Sequence, residues 1–401
     1  MPISTRPTLR DVWECIVALF LCTTGDLITG LVMGRSSSIF LLVPALIILI
    51  PPSAGLRGNV FSSLGSRFSS YLHTGRLPPS FKPNDLLNQN ILSALFLLMF
   101  FGFVDGILAS AIAYYLGINK NFFLTALNLV LVAEITAFIS FSILVPATVF
   151  LAIGSFRWGW NPDHTTIPIV TLFGDMITLP VLFAATIFVV KVGFEEKTLA
   201  LILVLIVILL VFNSVKSDLG IRIIAESAPI LAICVALDFG SGTILGDKLE
   251  KFIATAGLLT LVPAFLEDGG AMGGILAARF SSLLHLGLLE PKAKPDGDVF
   301  YTFAVMHLVA AFMFTMVGVF GYTANVLLHI PTISLPRMVL VTLVAGQLIM
   351  FIIDAMAYYF SIFSFRKGID PDNVGIPIIA SFMDVAGTAC YVFALKILGV
   401  I

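Results

Sequence analysis

Charge is what this sequence has least of. Only 11% of its 401 residues are Asp, Glu, Lys or Arg, against about 25% in a typical soluble domain, and the mean hydropathy is +1.06. A chain so poor in charge cannot cover a soluble surface, so most of it must face lipid or other apolar helices. Long polar connections are scarce too, which leaves no room for a soluble catalytic or regulatory domain. Cysteine is sparse: Cys15, Cys22, Cys234 and Cys390 all stand in apolar stretches without metal-ligand spacing, so neither a disulfide framework nor a thiolate metal site is expected. The glycine run Gly269–Gly274 is followed by no Gly-Lys-Ser or Gly-Lys-Thr, which excludes a phosphate loop. The net charge of -2 singles out no partner, and no nucleic-acid partner is expected. No small-residue cleavage site follows the apolar segment behind Arg6 and Arg10, so that segment is expected to stay as a first span.

What the chain does have is apolar length. A spanning helix needs roughly 20 such residues, and eleven segments are candidates: 12–33, 38–53, 88–117, 122–153, 165–190, 198–213, 223–246, 251–266, 299–328, 337–363 and 375–398. The second and eighth are short and run into Gly-rich or Ser-rich sequence, as broken helices continuing into amphipathic ones would.

Internal repetition organises these segments. Glu14, Asp26, Gly30 and Gly34 match Glu226, Asp238, Gly242 and Gly246 at an offset of 212 residues, and Arg67-Phe68-Ser69-Ser70 matches Arg279-Phe280-Ser281-Ser282 at the same offset. His73 and His285 share it as well, and Ser155-Phe156-Arg157 matches Ser364-Phe365-Arg366 at 209. The expected architecture is an all-α polytopic membrane protein of about eleven transmembrane helices. Residues 1–192 form one five-helix repeat, 193–216 a connecting span, and 217–401 a second repeat. One odd span between them returns the chain to its starting side, so the repeats should be parallel, related by an axis along the membrane normal. With the amino terminus inside, 14 of the 22 Lys and Arg fall on the inner side, in the direction of the positive-inside rule. A multi-pass protein of the plasma membrane with a cytoplasmic amino terminus is expected. Trp158 and Trp160, beside Arg157, suit an inner interface or an ordinary loop equally well.

One phrase occurs twice. Asn161-Pro162-Asp163-His164 leads through Ile167-Pro168 to Asp175, and Asp370-Pro371-Asp372-Asn373 leads through Ile376-Pro377 to Asp384, 209 residues later. Proline is a natural first residue of a helix, so Pro168 and Pro377 read as starts. Each helix then carries one carboxylate inside an apolar run, at a cost of roughly 2.5–3.5 kcal/mol at mid-bilayer. A pair at matched positions should therefore face a common polar path. Two close anions repel unless a cation lies between them, and magnesium, which sheds water reluctantly and favours oxygen, suits such a pair through its water shell.

The segment Pro51-Pro52-Ser53-Ala54-Gly55-Leu56-Arg57-Gly58-Asn59 reads as the close of the second span. Together with the doubled Ile-Pro-x(6)-Asp helix and the repeat, it resembles the MgtE family of magnesium channels and transporters, in particular the duplicated solute-carrier relatives of animals. That resemblance covers about residues 10–401. It implies two five-helix halves forming one pore, a Gly-x-x-Gly-Asn turn after the second helix, and an acid on the fifth helix of each half holding a hydrated magnesium ion. Carried over, it makes Asp175 and Asp384 the ion-binding acids and Asn59 the turn asparagine. The second half departs from the pattern, reading Asp268-Gly269-Gly270-Ala271 where the first reads Leu56-Arg57-Gly58-Asn59, so no symmetric asparagine exists. The family's soluble regulatory domains have no counterpart in the sequence, and a cytoplasmic sensor is not expected to gate it.

Among the remaining acids, Asp26 and Asp238 share a register position and form either a second ring along the path or pairs with other helices. Glu267 and Asp268, equivalent to within two residues to Arg57, are expected to compensate its charge from the other repeat. Asp105, Glu134 and Asp354 have no acidic counterparts at the repeat offsets and suit a structural or a functional role. Glu14 and Glu226 lie near a membrane face, and His73 and His285 are expected at the interface rather than on a metal. The metal-site candidates are therefore Asp175, Asp384, Asn59, Asp26, Asp238 and Asp268. The expected function is transport of a divalent cation, magnesium first, with the ion and the bilayer as partners and no enzymatic chemistry. The chain would act as a monomeric pseudo-dimer or dimerise again. Two other readings stay open: a secondary transporter coupled to protons or sodium, and an intramembrane aspartyl protease. The protease signatures are Gly-x-Gly-Asp and Tyr-Asp; here the acids follow Phe173-Gly174 and Phe382-Met383.

Overall fold

Helices begin where a side chain supplies the missing acceptor for free backbone N–H groups. Thr8 and Asp11 cap each other's backbone at the start of α1 (Leu9–Arg35). Asn84 accepts from Leu87 N at 2.8 Å to open α4 (Asp85–Tyr115), and Asn121 accepts from Leu124 N at 3.1 Å to open α5 (Phe122–Arg157). Asp296 accepts from the backbone of Asp298 and Val299 to start α11 (Gly297–Leu327). The remaining elements are α2 (Ile39–Leu42), α3 (Leu46–His73), α6 (Pro162–Lys191), α7 (Phe194–Ser214), α8 (Asp218–Asp247), α9 (Leu249–Ala254), α10 (Val262–His285), α12 (Leu335–Lys367) and α13 (Pro371–Ile397), with a 3-10 turn over Ala256–Leu261 ahead of α10. This computed structural model describes residues 5–159, 162–215, 217–367 and 371–401, without the side chains of 162–165, 167–168 and 371–377. Every element among the described residues is helical, and none of the four cysteines forms a disulfide.

Among the described residues, ten helices are long and apolar enough to cross a membrane. The sequence suggested eleven, and the difference lies in the second candidate, since the eighth is kept within Ala256–His285. Segment 38–53 becomes the single turn α2 followed by the long α3, whose apolar run is broken by Pro51, Pro52, Arg57 and Asn59. Segment 251–266 becomes α9, the 3-10 turn and the start of α10. A second correction concerns Gly55–Asn59: it is the interior of α3, with no turn there, since a helix bonds its own backbone and lipid offers no alternative partner. A third concerns the acid-bearing helices, which start at Pro162 and Pro371, ahead of Pro168 and Pro377. Proline is still the opening residue, where its missing N–H costs nothing. The polar residues Asp163, His164, Asp372 and Asn373, and Trp160, Asn161 and Asp370, fall outside the described side chains or residues.

The helices gather into two units, Ser38–Asp247 and Met1–Ser37 with Lys248–Ile401. In the unit of residues 38–247, α3 is central and packs against α4, α5, α6 and α8. Helix α7, the connecting span of the sequence, lies on α4 and α5 and buries none of its apolar side chains, as a lipid-facing helix would. In the other unit α10 is central and packs against α1, α11, α12 and α13. The chain-order consequence is an exchange. Helix α1 joins the unit built from the later half of the sequence, and its repeat counterpart α8 joins the unit built from the earlier half.

Close backbone approach holds both exchanged helices. Pro52 has no N–H and so leaves the Ile48 carbonyl without its donor one turn on; Gly242 of α8 fits over that oxygen so closely that a Cβ there would stand 2.4 Å from it. In the other unit a Cβ on Gly30 of α1 would stand 1.9 Å from the Thr260 carbonyl oxygen, three residues ahead of Pro263. The two contacts lie 212 residues apart in both partners. Small residues are what lets helices in lipid come this near. Gly242→Val is expected to cost about 1–3 kcal/mol through overpacking, read as a lowered unfolding midpoint in detergent, whereas Gly274→Ala, with nothing within 4 Å, should leave the midpoint unchanged.

Candidate functional site

Each unit brings its long central helix against its acid-bearing helix at a glycine one turn before the acid. In the unit of residues 38–247, a Cβ on Gly58 of α3 would meet Thr171 of α6 at 3.8 Å, four residues ahead of Asp175. In the other unit, a Cβ on Gly270 of α10 would meet Ala380 of α13 at 3.9 Å, four residues ahead of Asp384. Both aspartates are half-buried rather than sealed in a dry core, and Asn59, next to Gly58, is half-buried as well. The structure therefore places Asn59 and Asp175 on directly packed helices of one unit. The second unit offers Ala271 at the asparagine position.

Asp238 and Asp26 lie on the exchanged helices. Asp238 of α8 is fully buried against α3, where a Cβ on Gly55 would stand 2.3 Å from its Oδ2. Asp26 of α1 is 1% exposed. It follows Thr23 by three residues and so shares its helix face, and Thr23 Oγ1, with one proton to donate, lies 2.8 and 3.0 Å from the Asp268 carboxylate oxygens and 2.7 Å from the Leu19 carbonyl. The α1 face carrying Asp26 is thus the one turned to α10. Arg279 of α10, 3.6 Å from Asp11, ties the start of α1 to the same helix.

Arg57 is the clearest departure from expectation. Its charge was expected to be met by Glu267 and Asp268, but the acids that act on it are Asp105 of α4 and Glu134 of α5. It also donates to the Ser53 carbonyl and, through Nη2, to the Ala133 carbonyl at 3.4 Å. The physical reason is proximity: α4 and α5 pack directly on α3, and a buried guanidinium is compensated from the helices it touches. Asp268 is satisfied by the Thr23 hydroxyl instead.

A second polar group escaped the sequence reading. His307 of α11 stands with Nε2 3.2 Å from Asp354 Oδ2 of α12 and Nδ1 2.8 Å from Gln347 Oε1, while Gln347 Nε2 donates back to the His307 carbonyl at 3.2 Å. The pair borders a cavity of about 480 Å³ walled by Phe300, Phe303, Phe351 and Tyr358. A lone histidine within an apolar run was the available signal. The repeated His73 and His285 sit at helix ends with their rings edge-on to Phe156 and Phe365, at 5.5 and 5.3 Å. Among the described residues no three His, Cys, Asp or Glu side chains are grouped to hold a metal ion directly.

Comparison with known proteins adds a family. A model of the MgtE family, described as divalent cation transporter, matches residues 50–185 and again 262–394. Solute carrier family 41 member 3 of Rattus norvegicus is 26% identical over 95% of this chain and 86% of its own length. Solute carrier family 41 member 2 of Gallus gallus is 26% identical, and that of Homo sapiens 27%, each over 94% of this chain and 68% of its own length. No solved structure matches the chain significantly.

The Thr23–Asp268 contact generates a stability prediction. Thr23→Val removes the donor from a buried carboxylate and should cost about 1–3 kcal/mol, whereas Thr23→Ser keeps the hydroxyl and should recover most of it. Unfolding midpoints in detergent decide; equal midpoints for the two variants would show that the hydroxyl contributes nothing.

Proposed function

Because the chain belongs to the MgtE family of divalent cation transporters, we propose that it passes magnesium across the membrane, the hydrated ion being held by Asp175 and Asp384, one acid from the fifth helix of each repeat. The observation carrying this reading is the matched contact of Gly58 with Thr171 and of Gly270 with Ala380, which sets each acid one turn beyond an equivalent contact of its helix with the central helix. A carboxylate kept half-buried inside an apolar helix needs a polar path beside it. Two such acids with the Asn59 amide offer oxygen acceptors to the water shell of an ion that gives up water reluctantly. Asp26 and Asp238 on the exchanged helices, with Asp268 on α10, form the next acidic level, where they raise the local concentration of cations.

In this proposal the repeats run parallel, with the amino terminus on the cytoplasmic side of the plasma membrane, supported by the excess of Lys and Arg on the inner loops. The protein's part is electrostatic and geometric, and no bond is made or broken. The central helices supply backbone proximity at Gly58 and Gly270; the acids supply charge that offsets the ion's lost outer hydration.

Uptake into proteoliposomes, followed with a magnesium indicator, tests the assignment. Asp175→Asn and Asp384→Asn should each reduce the initial rate at least ~10-fold, corresponding to about 1.4 kcal/mol, with expression and unfolding midpoint retained. Unchanged rates in both variants would remove these acids from the path. Repeating the measurement with manganese, cobalt, nickel and zinc ranks the ions, and imposing proton or sodium gradients separates conduction from coupled transport.

A further inference from the structure

The unit of residues 38–247 contains a charged cluster that the cation path does not use. Arg57 is 2% exposed, Asp105 0% and Glu134 2%. They converge on one place: a Cβ on Gly102, one turn before Asp105 on α4, would stand 3.3 Å from Glu134 Oε1 and 3.9 Å from the Ala133 carbonyl that Arg57 Nη2 reaches at 3.4 Å. Arg57 points toward α5, where it reaches the Ala133 carbonyl, whereas its neighbour Gly58 meets α6. Five polar atoms of the cluster, Arg57 Nε and both carboxylate oxygens of Asp105 and of Glu134, have no hydrogen-bond partner among the described residues.

Two carboxylates against one guanidinium leave one negative charge in excess. A structural ion pair would need only one acid, and an unbalanced ion in a dry interior costs several kcal/mol. The acceptor-only oxygens make the imbalance worse, since an ionised carboxylate has nothing to donate. A metal ion is a poor remedy, because it would have to lodge beside the fixed positive charge of Arg57 and bring a coordination shell into a sealed space. A proton needs no shell. Bound to one carboxyl oxygen, it turns that group into a donor, gives the other carboxylate an acceptor role, and balances the charge. The repeat supports reading the three residues as one device: Arg57 corresponds to Gly269, and neither Asp105 nor Glu134 meets an acid at the 209 or 212 offset.

We propose that Asp105 and Glu134 form a proton-binding site, holding a single proton between them with Arg57 as the fixed counter-charge. The helices packed around it carry few other charges. Asp175 of α6 and Asp238 of α8 are the ones within the apolar runs of those helices, α7 has none between Thr198 and Ser214, and the rest stand near helix ends. None of them is among the charges acting on Arg57, Asp105 or Glu134. With the proton bound the cluster is neutral and tolerates its dry setting. The folded unit then holds a proton that the unfolded chain has already released, so its stability falls as pH rises through this ionisation.

The test uses the purified full chain and no transport assay, so it stands apart from the assignment of Asp175 and Asp384. Infrared difference spectra across an acid-to-alkaline titration should show a protonated-carboxyl band that persists at neutral pH and disappears at higher pH, with loss or shift of that band in Asp105→Asn and in Glu134→Gln. The unfolding midpoint of the native chain should drop over the same pH range, and Glu134→Gln should flatten that drop. A native spectrum without any protonated carboxyl at neutral pH overturns the proposal, even if neither variant folds. So does a band untouched by both substitutions.

Discussion

An ion in hydrocarbon must find its compensation within the protein, and this one constraint accounts for where the described helices of the chain touch. Charge is rare in the sequence, and inside the apolar runs it falls at helix contacts. Arg57 lies where α3 meets α4 and α5, Asp238 where α8 meets α3, Asp268 where α10 meets α1, and Asp354 where α12 meets α11. Lipid provides no water to solvate a misplaced charge, so these side chains fix which helix faces turn inward. The apolar residues around them fill space without specifying direction, because lipid tails are as apolar as leucine.

The same constraint applies to the backbone. Prolines inside α3 leave carbonyl oxygens without their helical donors, and lipid cannot supply replacements. Gly242 closing over Ile48 protects such a carbonyl with another helix brought to near-contact, and Gly30 approaches the Thr260 carbonyl of the 3-10 turn in the same way. That requirement helps explain why each exchanged helix packs where it does. Helix α1 carries the glycines that fit the 3-10 turn, and α8 carries those that fit α3. The exchange ties the beginning of the chain to its later half, so one unit is assembled from two separated stretches of sequence while the other is the continuous stretch Ser38–Asp247.

Membership of the MgtE family gives the class of cargo, and the chain's own residues give it an individual character. Its two acid-bearing helices meet their central helices at matched glycines, yet the residues flanking those glycines differ: Arg57 and Asn59 in one unit, Gly269 and Ala271 in the other. Duplication within one chain frees each half to change separately. The half containing Arg57 has two buried acids to accompany it, while the other half has an acid within reach of a threonine hydroxyl.

The sequence by itself determined that this is a helical protein of the membrane, repeated internally, with one acid in the last helix of each repeat. Those properties follow from hydropathy over ~20 residues and from identities at constant offsets, and both are local. Matching two segments of sequence requires no knowledge of which surfaces meet. Only the tertiary structure decided that Gly55–Asn59 is the interior of a helix, that α1 and α8 change places, that Arg57 is answered by Asp105 and Glu134, and that His307 pairs with Asp354. Each of these depends on which helix faces pack together. An apolar sequence of this kind leaves that choice open, because many faces bury equally well and only a few polar atoms and close-packed glycines discriminate among them.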